Sequence, residues 1–198
     1  MPYSSEHKEK TRAKIVEVAR VLFNRHGFHE VTIDMIMAEA GLTRGGFYNH
    51  FPNKEALYSA AVSSFLNGRG AQWRREAGIN EHNLDLTAVA QMVKSYLSAD
   101  HLGDIEGQCP MVALPSDIAR ASPSVKQSFQ ELLEAMVWLL ETGLKERDEA
   151  SRQKALSLAA LCVGGMTLAR ALPDSSLAEE VRSAAFQTAT SMVVSRST

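Results

Sequence analysis

Residues 32–57 read TIDMIMAEAGLTRGGFYNHFPNKEAL, and inside them residues 41–51, GLTRGGFYNHF, set two adjacent glycines beside Arg44, Tyr48, Asn49 and His50. The flanking spacing is helical, and a glycine in a helix interior costs about 1 kcal/mol relative to alanine. A short polar helix that carries Gly45 and Gly46 together needs a reason other than helix stability.

The local signals supply one. Thr32 can cap a helix that runs through Ala40 and buries Ile33, Ile36 and Met37 or Ala40. Gly41 ends it, and Thr43 can cap a third, short helix by accepting an orphan backbone N–H. Two helices joined by a tight glycine turn have helix-turn-helix geometry, in which the second helix enters the DNA major groove. Glycines there let the backbone come close, and a helix N-terminus offers free N–H groups to a phosphate. Arg44 can reach guanine O6 and N7, Tyr48 and His50 can donate to phosphate oxygens, and Lys54 can add a charged phosphate contact. Helical hairpins with a glycine turn also serve as plain packing units, so geometry alone leaves both readings open.

Outward from this stretch, helical spacing dominates and strand patterning is limited to a short VTI. Ile15, Val18, Ala19, Leu22 and Phe23 share a face of a first helix, stopped at Gly27 with Phe28 after it. Asn53 can cap a fourth helix that runs to about Trp73, weakened by Gly68 and Gly70. A fifth covers roughly Leu84 to Ala99. Pro115 interrupts the helix expected over residues 110–120. Ser122-Pro123 opens a long helix to about Arg147. Two more run from about Ser151 to Leu172 and from Ser176 to Val194. The expected fold is all-α with about nine helices: a three-helix helix-turn-helix head over residues 1–52 and a second helical domain over residues 53–198.

Composition bounds the function. The 198 residues are 45% hydrophobic, an ordinary globular value, and carry a net charge of −2. That charge is divided unevenly: residues 1–75 hold 11 Lys and Arg against 7 Asp and Glu, and the remainder holds 10 against 16. A positive first third on an acidic remainder confines any polyanion partner to the N-terminal part. With no run of about 18 apolar residues, no membrane partner is expected. The polar N-terminus does not read as a secretory signal. Two cysteines, Cys109 and Cys162, suit a reducing cytoplasm.

The stretch over residues 32–57 closely resembles the DNA-binding signature of the TetR family of bacterial transcriptional regulators. The matching positions are Thr32, Ile36, Ala40, Gly41, Leu42, Thr43, Arg44, Gly45, Tyr48, His50, Phe51, Lys54 and Leu57. The resemblance implies that Arg44, Gly45, Gly46, Tyr48 and Asn49 face bases or the groove wall. It implies that Thr32, Thr43, Tyr48, His50 and Lys54 hold phosphates. Two positions depart from the pattern: Gly46 stands where Thr, Ser or Ala is usual, and Met37 replaces a small core residue. The later helices resemble the family more loosely, which implies an architecture and a regulatory role without naming a ligand.

Small residues on the last two helices suit a close helix seam: Ala155, Ala159, Val163 and Gly165 on one, Leu177, Val181, Ala184 and Thr188 on the other. Intramolecular packing explains such a seam equally well; the family pattern places it at a homodimer interface. Two-fold symmetry would also double the contacts of a short reading helix. Phe65, Met92, Tyr96, Met111, Phe129, Met136, Trp138 and Met166 together suit an apolar effector cavity, although each alone reads as core. Cys109, just before Pro110, can be a reactive thiol at a helix N-terminus or a small buried residue. His101, Asp104, Glu106 and Cys109 crowd one loop without a recognised metal spacing, and no metal or cofactor is expected.

The expected function is a homodimeric repressor on double-stranded operator DNA, released by a small apolar or aromatic ligand. The alternative is a thiol-based redox or electrophile sensor using Cys109. A helical enzyme or interaction scaffold is more remote, since no catalytic motif appears.

Overall fold

The computed structural model describes residues 5–144, 148–173 and 175–194, and they form twelve helices with no strand among them. The first four are α1 (Ser5–Glu30), α2 (Ile33–Glu39), α3 (Arg44–Phe47) and α4 (Lys54–Asn67). Then come α5 (Arg69–Glu76), α6 (Leu86–Tyr96), α7 (Ala99–Gly103), α8 (Pro110–Ala113) and α9 (Pro115–Ala119). Three long helices close the chain: α10 (Pro123–Gly143), α11 (Glu149–Ala171) and α12 (Ser176–Val194).

The excess over nine comes from three breaks. Gly68 ends α4 early: a Cβ there would meet the Ser64 carbonyl at 2.8 Å, and one at Gly70 would meet the Phe65 carbonyl at 2.6 Å. Ser98 starts α7 as a new helix by accepting the His101 N–H, where a loop was expected. Pro115 separates α8 from α9. The expected end of α10 at Arg147 lies outside the described residues.

Capping largely follows the sequence. Thr32 accepts from Met35 N–H and Asn53 from Ala56 N–H. Thr43 makes no side-chain cap, so its expected capping bond is absent and its exposed hydroxyl stays available. Gly41, at φ 67°, closes α2 with Gly41 N–H on the Ala38 carbonyl and Leu42 N–H on that of Met37. That paired pattern needs a left-handed residue at its centre.

One contiguous core runs from Ile15 and Phe23 in α1 through Leu57 and Tyr58 in α4 to Leu140, Leu158 and Ala189. α4 packs on α1 on one side and on α10 on the other, and α11 packs along α12. By length and composition α11 would also pass for a membrane span. Here Ala155, Leu158, Ala159, Cys162 and Met166 on it are buried in the core.

The joint between α1 and the later helices is polar and specific. Gly27 breaks α1 at φ 73°, ψ 174°, a conformation open essentially to glycine alone. The freed Phe28 N–H donates to Asp117 of α9 at 2.8 Å. Three residues before the break, buried Asn24 donates to the carbonyls of Glu106 and Gln108. Buried Arg20 donates to the Glu106 carbonyl at 2.6 Å and pairs with Glu17, and Arg25 pairs with the Glu106 carboxylate.

Candidate functional site

The surface around α3 is built from the residues that opened the sequence. Phe47 and Phe51 are buried and anchor the short helix to the head core. That leaves Arg44, Gly45, Tyr48 and Asn49 facing solvent, Tyr48 at 58% exposure. Neither glycine is demanded by the fold. Both lie outside the left-handed region. A Cβ at Gly45 would meet nothing within 4 Å, and one at Gly46 would make ordinary 3.7 Å contacts with Met37 Cε and Thr43 Oγ1. The two departures from the family pattern are therefore neighbours: the longer side chain at 37 lies beside the missing one at 46.

Other expected contacts are already engaged. Arg44 forms an exposed ion pair with Asp34 at 2.7 Å, a weak bond in water that a base edge can replace. Thr32 Oγ1 is occupied as the α2 cap acceptor. Lys54 departs furthest from its expected phosphate role. Its ammonium donates to the carbonyls of Phe28 and Val31 at 2.7 and 2.8 Å and sits 4.2 Å from the centre of the Phe28 ring. Burial lowers its pKa despite the nearby Asp117. Lys54 thus ties the start of α4 to the end of α1. The spacing could not show this, because the carbonyls it binds are free only where α1 ends at Glu30 and come from a distant part of the chain.

His50 has a buried Nδ1 without a partner, and burial, then Lys8 and Arg12, lower its pKa. Lys8 and Arg12 therefore stand by the end of α3, Arg12 over the Phe51 ring at 4.3 Å. Lys14 reaches toward Gly41. The motif does not include these three cations; their sequence signal is only the positive charge of the first 75 residues.

A second feature is a cavity of about 690 Å³ between α4, α5, α6, α7, α8 and α10. Phe65, Met92, Tyr96, Met111 and Met136 line it, five of the eight residues expected to. Three do not. Trp138 is 51% exposed on the outer face of α10, Phe129 is packed partly buried at the edge of the core, and Met166 is sealed within it. Helical spacing marks them as apolar but not which neighbour they face. Trp73 and His101 join the lining instead, with Trp73, Tyr96 and His101 forming a cluster whose ring centres lie 4.7–6.0 Å apart. Arg69, also on the wall, is held by Glu76 and Asp104. The Tyr96 hydroxyl is buried without a hydrogen bond of ordinary geometry, a state that costs about 1–3 kcal/mol.

Cys109 lines the same cavity but is 2% exposed, and burial pushes its thiol up to about 11. α8 has only four residues and does not offset that burial. Of the two readings of Cys109, burial supports the small buried residue over the low-pKa thiolate at a helix N-terminus. Cys162 is likewise buried and pushed up to about 12. The acidic loop residues are committed elsewhere, Asp104 to Arg69 and Gly107 N–H, Glu106 to Arg25. Among the described residues no group of three or more candidate metal ligands gathers.

With this geometry in place, comparison with known proteins is informative. The family model described as "Bacterial regulatory proteins, tetR family" matches residues 15–61, from the first core residue of α1 into α4. Over those residues the chain is similar to the tetR family's DNA-binding region. HTH-type transcriptional regulator YfiR of Bacillus subtilis is 34% identical over 64 residues, 32% of this chain and 31% of that protein. The chain thus spans about a third of that relative. HTH-type transcriptional regulator YxaF of the same organism is 26% identical over 167 residues, 80% of this chain and 84% of that one. A crystal structure of a tetR-family regulator from Rhodococcus sp. superposes with a TM-score of 0.74 at 16% identity, covering 94% of this chain and 100% of that one. That likeness establishes the fold across the later helices. Each of these proteins is named as a regulator, none as an enzyme.

The seam residues on α11 and α12 divide. Ala155, Ala159 and Gly165 are buried within the chain, and a Cβ at Gly165 would meet Ala185 Cβ at 2.6 Å. Gly165 thus packs α11 against α12, and for these three buried residues intramolecular packing, the other reading of the seam, holds in place of an outer interface. Val163 and Val181 are half-buried, while Leu177, Ala184 and Thr188 face out. The outer faces also carry Leu156 at 44% exposure, Leu168 at 59% and Val194 at 75%, and a Cβ at Gly164 would meet nothing. Because α11 has small and apolar residues on both faces, its sequence does not tell the inner face from the outer.

Proposed function

We propose that the protein is a cytoplasmic transcriptional repressor that binds operator DNA as a homodimer and leaves it when a small apolar or aromatic ligand occupies the cavity. Residues 1–52 act as the DNA-binding head and residues 53–198 as the ligand-binding and dimerisation domain. The observation that carries this reading is the glycine pair on α3. It weakens a helix, answers no internal contact, and lies on the exposed face between Arg44 and Tyr48. A partner surface that approaches the backbone accounts for it.

Arg44 then reads a base edge, while Thr43, Tyr48, His50, Lys8 and Arg12 face phosphates. The second copy docks on the outer faces of α11 and α12, covering Leu156, Leu168 and Leu177. Release follows if ligand prefers a conformation in which the two heads no longer match the half-sites. A full reversal requires a preference on the order of 5 kcal/mol.

Selection of bound DNA from a random pool tests the reading. The expected product is an inverted repeat with half-sites about one helical turn apart, bound with steep salt dependence. A pool that yields no consensus would overturn it. In the same gel-shift format, release by peroxide in wild type but not in Cys109→Ser would replace ligand control by thiol control.

A further inference from the structure

Building on the reading of the cavity as an effector site, its polar groups narrow the ligand. Tyr96 is 4% exposed and His101 8%, both on the cavity wall with ring centres 4.7 Å apart. His101 Nδ1 lies 2.6 Å from the Tyr96 backbone carbonyl. A carbonyl only accepts, so Nδ1 carries the proton in that bond. Burial lowers the imidazole's pKa, which keeps the ring neutral and leaves Nε2 as an acceptor. Among the described residues His101 makes its hydrogen bond through Nδ1 and none through Nε2, and the buried Tyr96 hydroxyl, without a hydrogen bond of ordinary geometry, faces the thiols of Cys109 and Cys162, which are weak partners.

We infer that the cavity takes an uncharged aromatic molecule bearing a hydroxyl group, which accepts from the Tyr96 phenol and donates to His101 Nε2. A hydroxyl is both donor and acceptor, so one ligand atom can answer both wall groups. A ketone oxygen would leave Nε2 without a donor. A carboxylate would also leave Nε2 unpaired and would enter beside Asp104 and Glu76. Two of the three wall cations are already engaged, Arg69 by Glu76 and Asp104 and Arg74 by Glu81 and the Leu66 carbonyl, and the third, Lys94 of α6, is solvent-exposed, where its charge is screened by water. Trp73 and Phe65 supply flat apolar surface, Met92 and Met136 polarizable contacts. A volume of about 690 Å³ admits a two- or three-ring molecule.

The test is calorimetric titration of the full-length protein with three probes of one shape: 4-phenylphenol, 4-methylbiphenyl and biphenyl-4-carboxylate. On wild type, 4-phenylphenol should bind roughly tenfold tighter than 4-methylbiphenyl, with the carboxylate weakest. In Tyr96→Phe the phenol's advantage should fall below about threefold while 4-methylbiphenyl binds at least as well as before. His101→Phe should reduce the advantage independently, and thermal melts verify that both variants fold. Equal affinity of the phenol and methyl probes on wild type overturns the inference, as does a preference that survives both substitutions or failure of all three probes to bind. No DNA is present in these titrations, so the two proposals fail separately. Tyr96-dependent binding that leaves the DNA complex intact would sink ligand release and keep the ligand class. Release by all three probes alike would do the reverse.

Discussion

At position 45 the fold leaves room for a methyl group that the sequence does not use. Gly45→Ala should raise the melting temperature, by up to about 1 kcal/mol of added stability, because its Cβ meets no atom within 4 Å. The same change should weaken operator binding, because the methyl projects where DNA approaches. Thermal melting and gel shifts on one preparation check both signs, and unchanged affinity would remove the glycine from the interface. Arg44 and Lys54 separate in the same way. Arg44→Ala should cost about 1–3 kcal/mol on the selected operator and little on scrambled DNA, with the fold intact, since its only bond among the described residues is the exposed one to Asp34. Lys54→Met should lower stability by on the order of 1–3 kcal/mol, because two carbonyls lose a charged donor. Its effect on DNA then follows from the loosened head. If Lys54→Met melts like wild type and reduces only the salt slope, the phosphate role is restored.

Elements were legible wherever a local signal sets them. Thr32, Gly41, Asn53 and Pro123 start or stop helices within the chain segment that specifies them. The interruption at Pro115 was legible for the same reason, and Gly68, expected to weaken α4, ends it outright; what the local signals missed is the new start at Ser98 and the unused cap at Thr43. The exposed surface proposed to face DNA could be assembled from sequence because its residues are contiguous on and around one short helix. The cavity could not be read fully, since α5, α7 and α10 meet there from distant parts of the chain, and Trp73 and His101 acquire their place only by that meeting. The α11–α12 seam offers a sharp test at this scale. Gly165→Leu should prevent proper packing within one chain, with a loss of several kcal/mol or no folded protein, since Ala185 Cβ lies 2.6 Å from the added carbon. Gly164→Leu, facing open space, should leave a folded chain but weaken the dimer. Sedimentation and melting of the pair distinguish them, and a fully dimeric Gly164→Leu protein would place the second copy elsewhere.

Across the whole molecule, cavity and head share one loop. Residues 104–109 contribute Asp104, Gly107 and Cys109 to the cavity wall, while the Glu106 and Gln108 carbonyls in that loop hold Arg20 and Asn24 of α1. A ligand that displaces the loop therefore acts on the head directly, in addition to any motion of α4. Arg20→Met removes the strongest of these ties without touching the cavity. It should leave the affinity for 4-phenylphenol within about threefold of wild type, yet reduce the coupling between ligand and DNA, read as the ratio of ligand Kd with and without operator. An unchanged ratio would mean that the signal travels by another route.

The bond from Phe28 N–H to Asp117 gives this joint its own clock. That amide lies at the α1 break, and its bond closes on a side chain from a different part of the fold. Its exchange with deuterium depends on how often the joint opens rather than on helix fraying. In the free protein it should be protected well beyond its exposed neighbours His29 and Glu30. Asp117→Ala should release it, and a ligand that swings the head should speed its exchange while amides in the middle of α1 keep their pace. One backbone proton would then time the opening of the head, with no DNA in the tube.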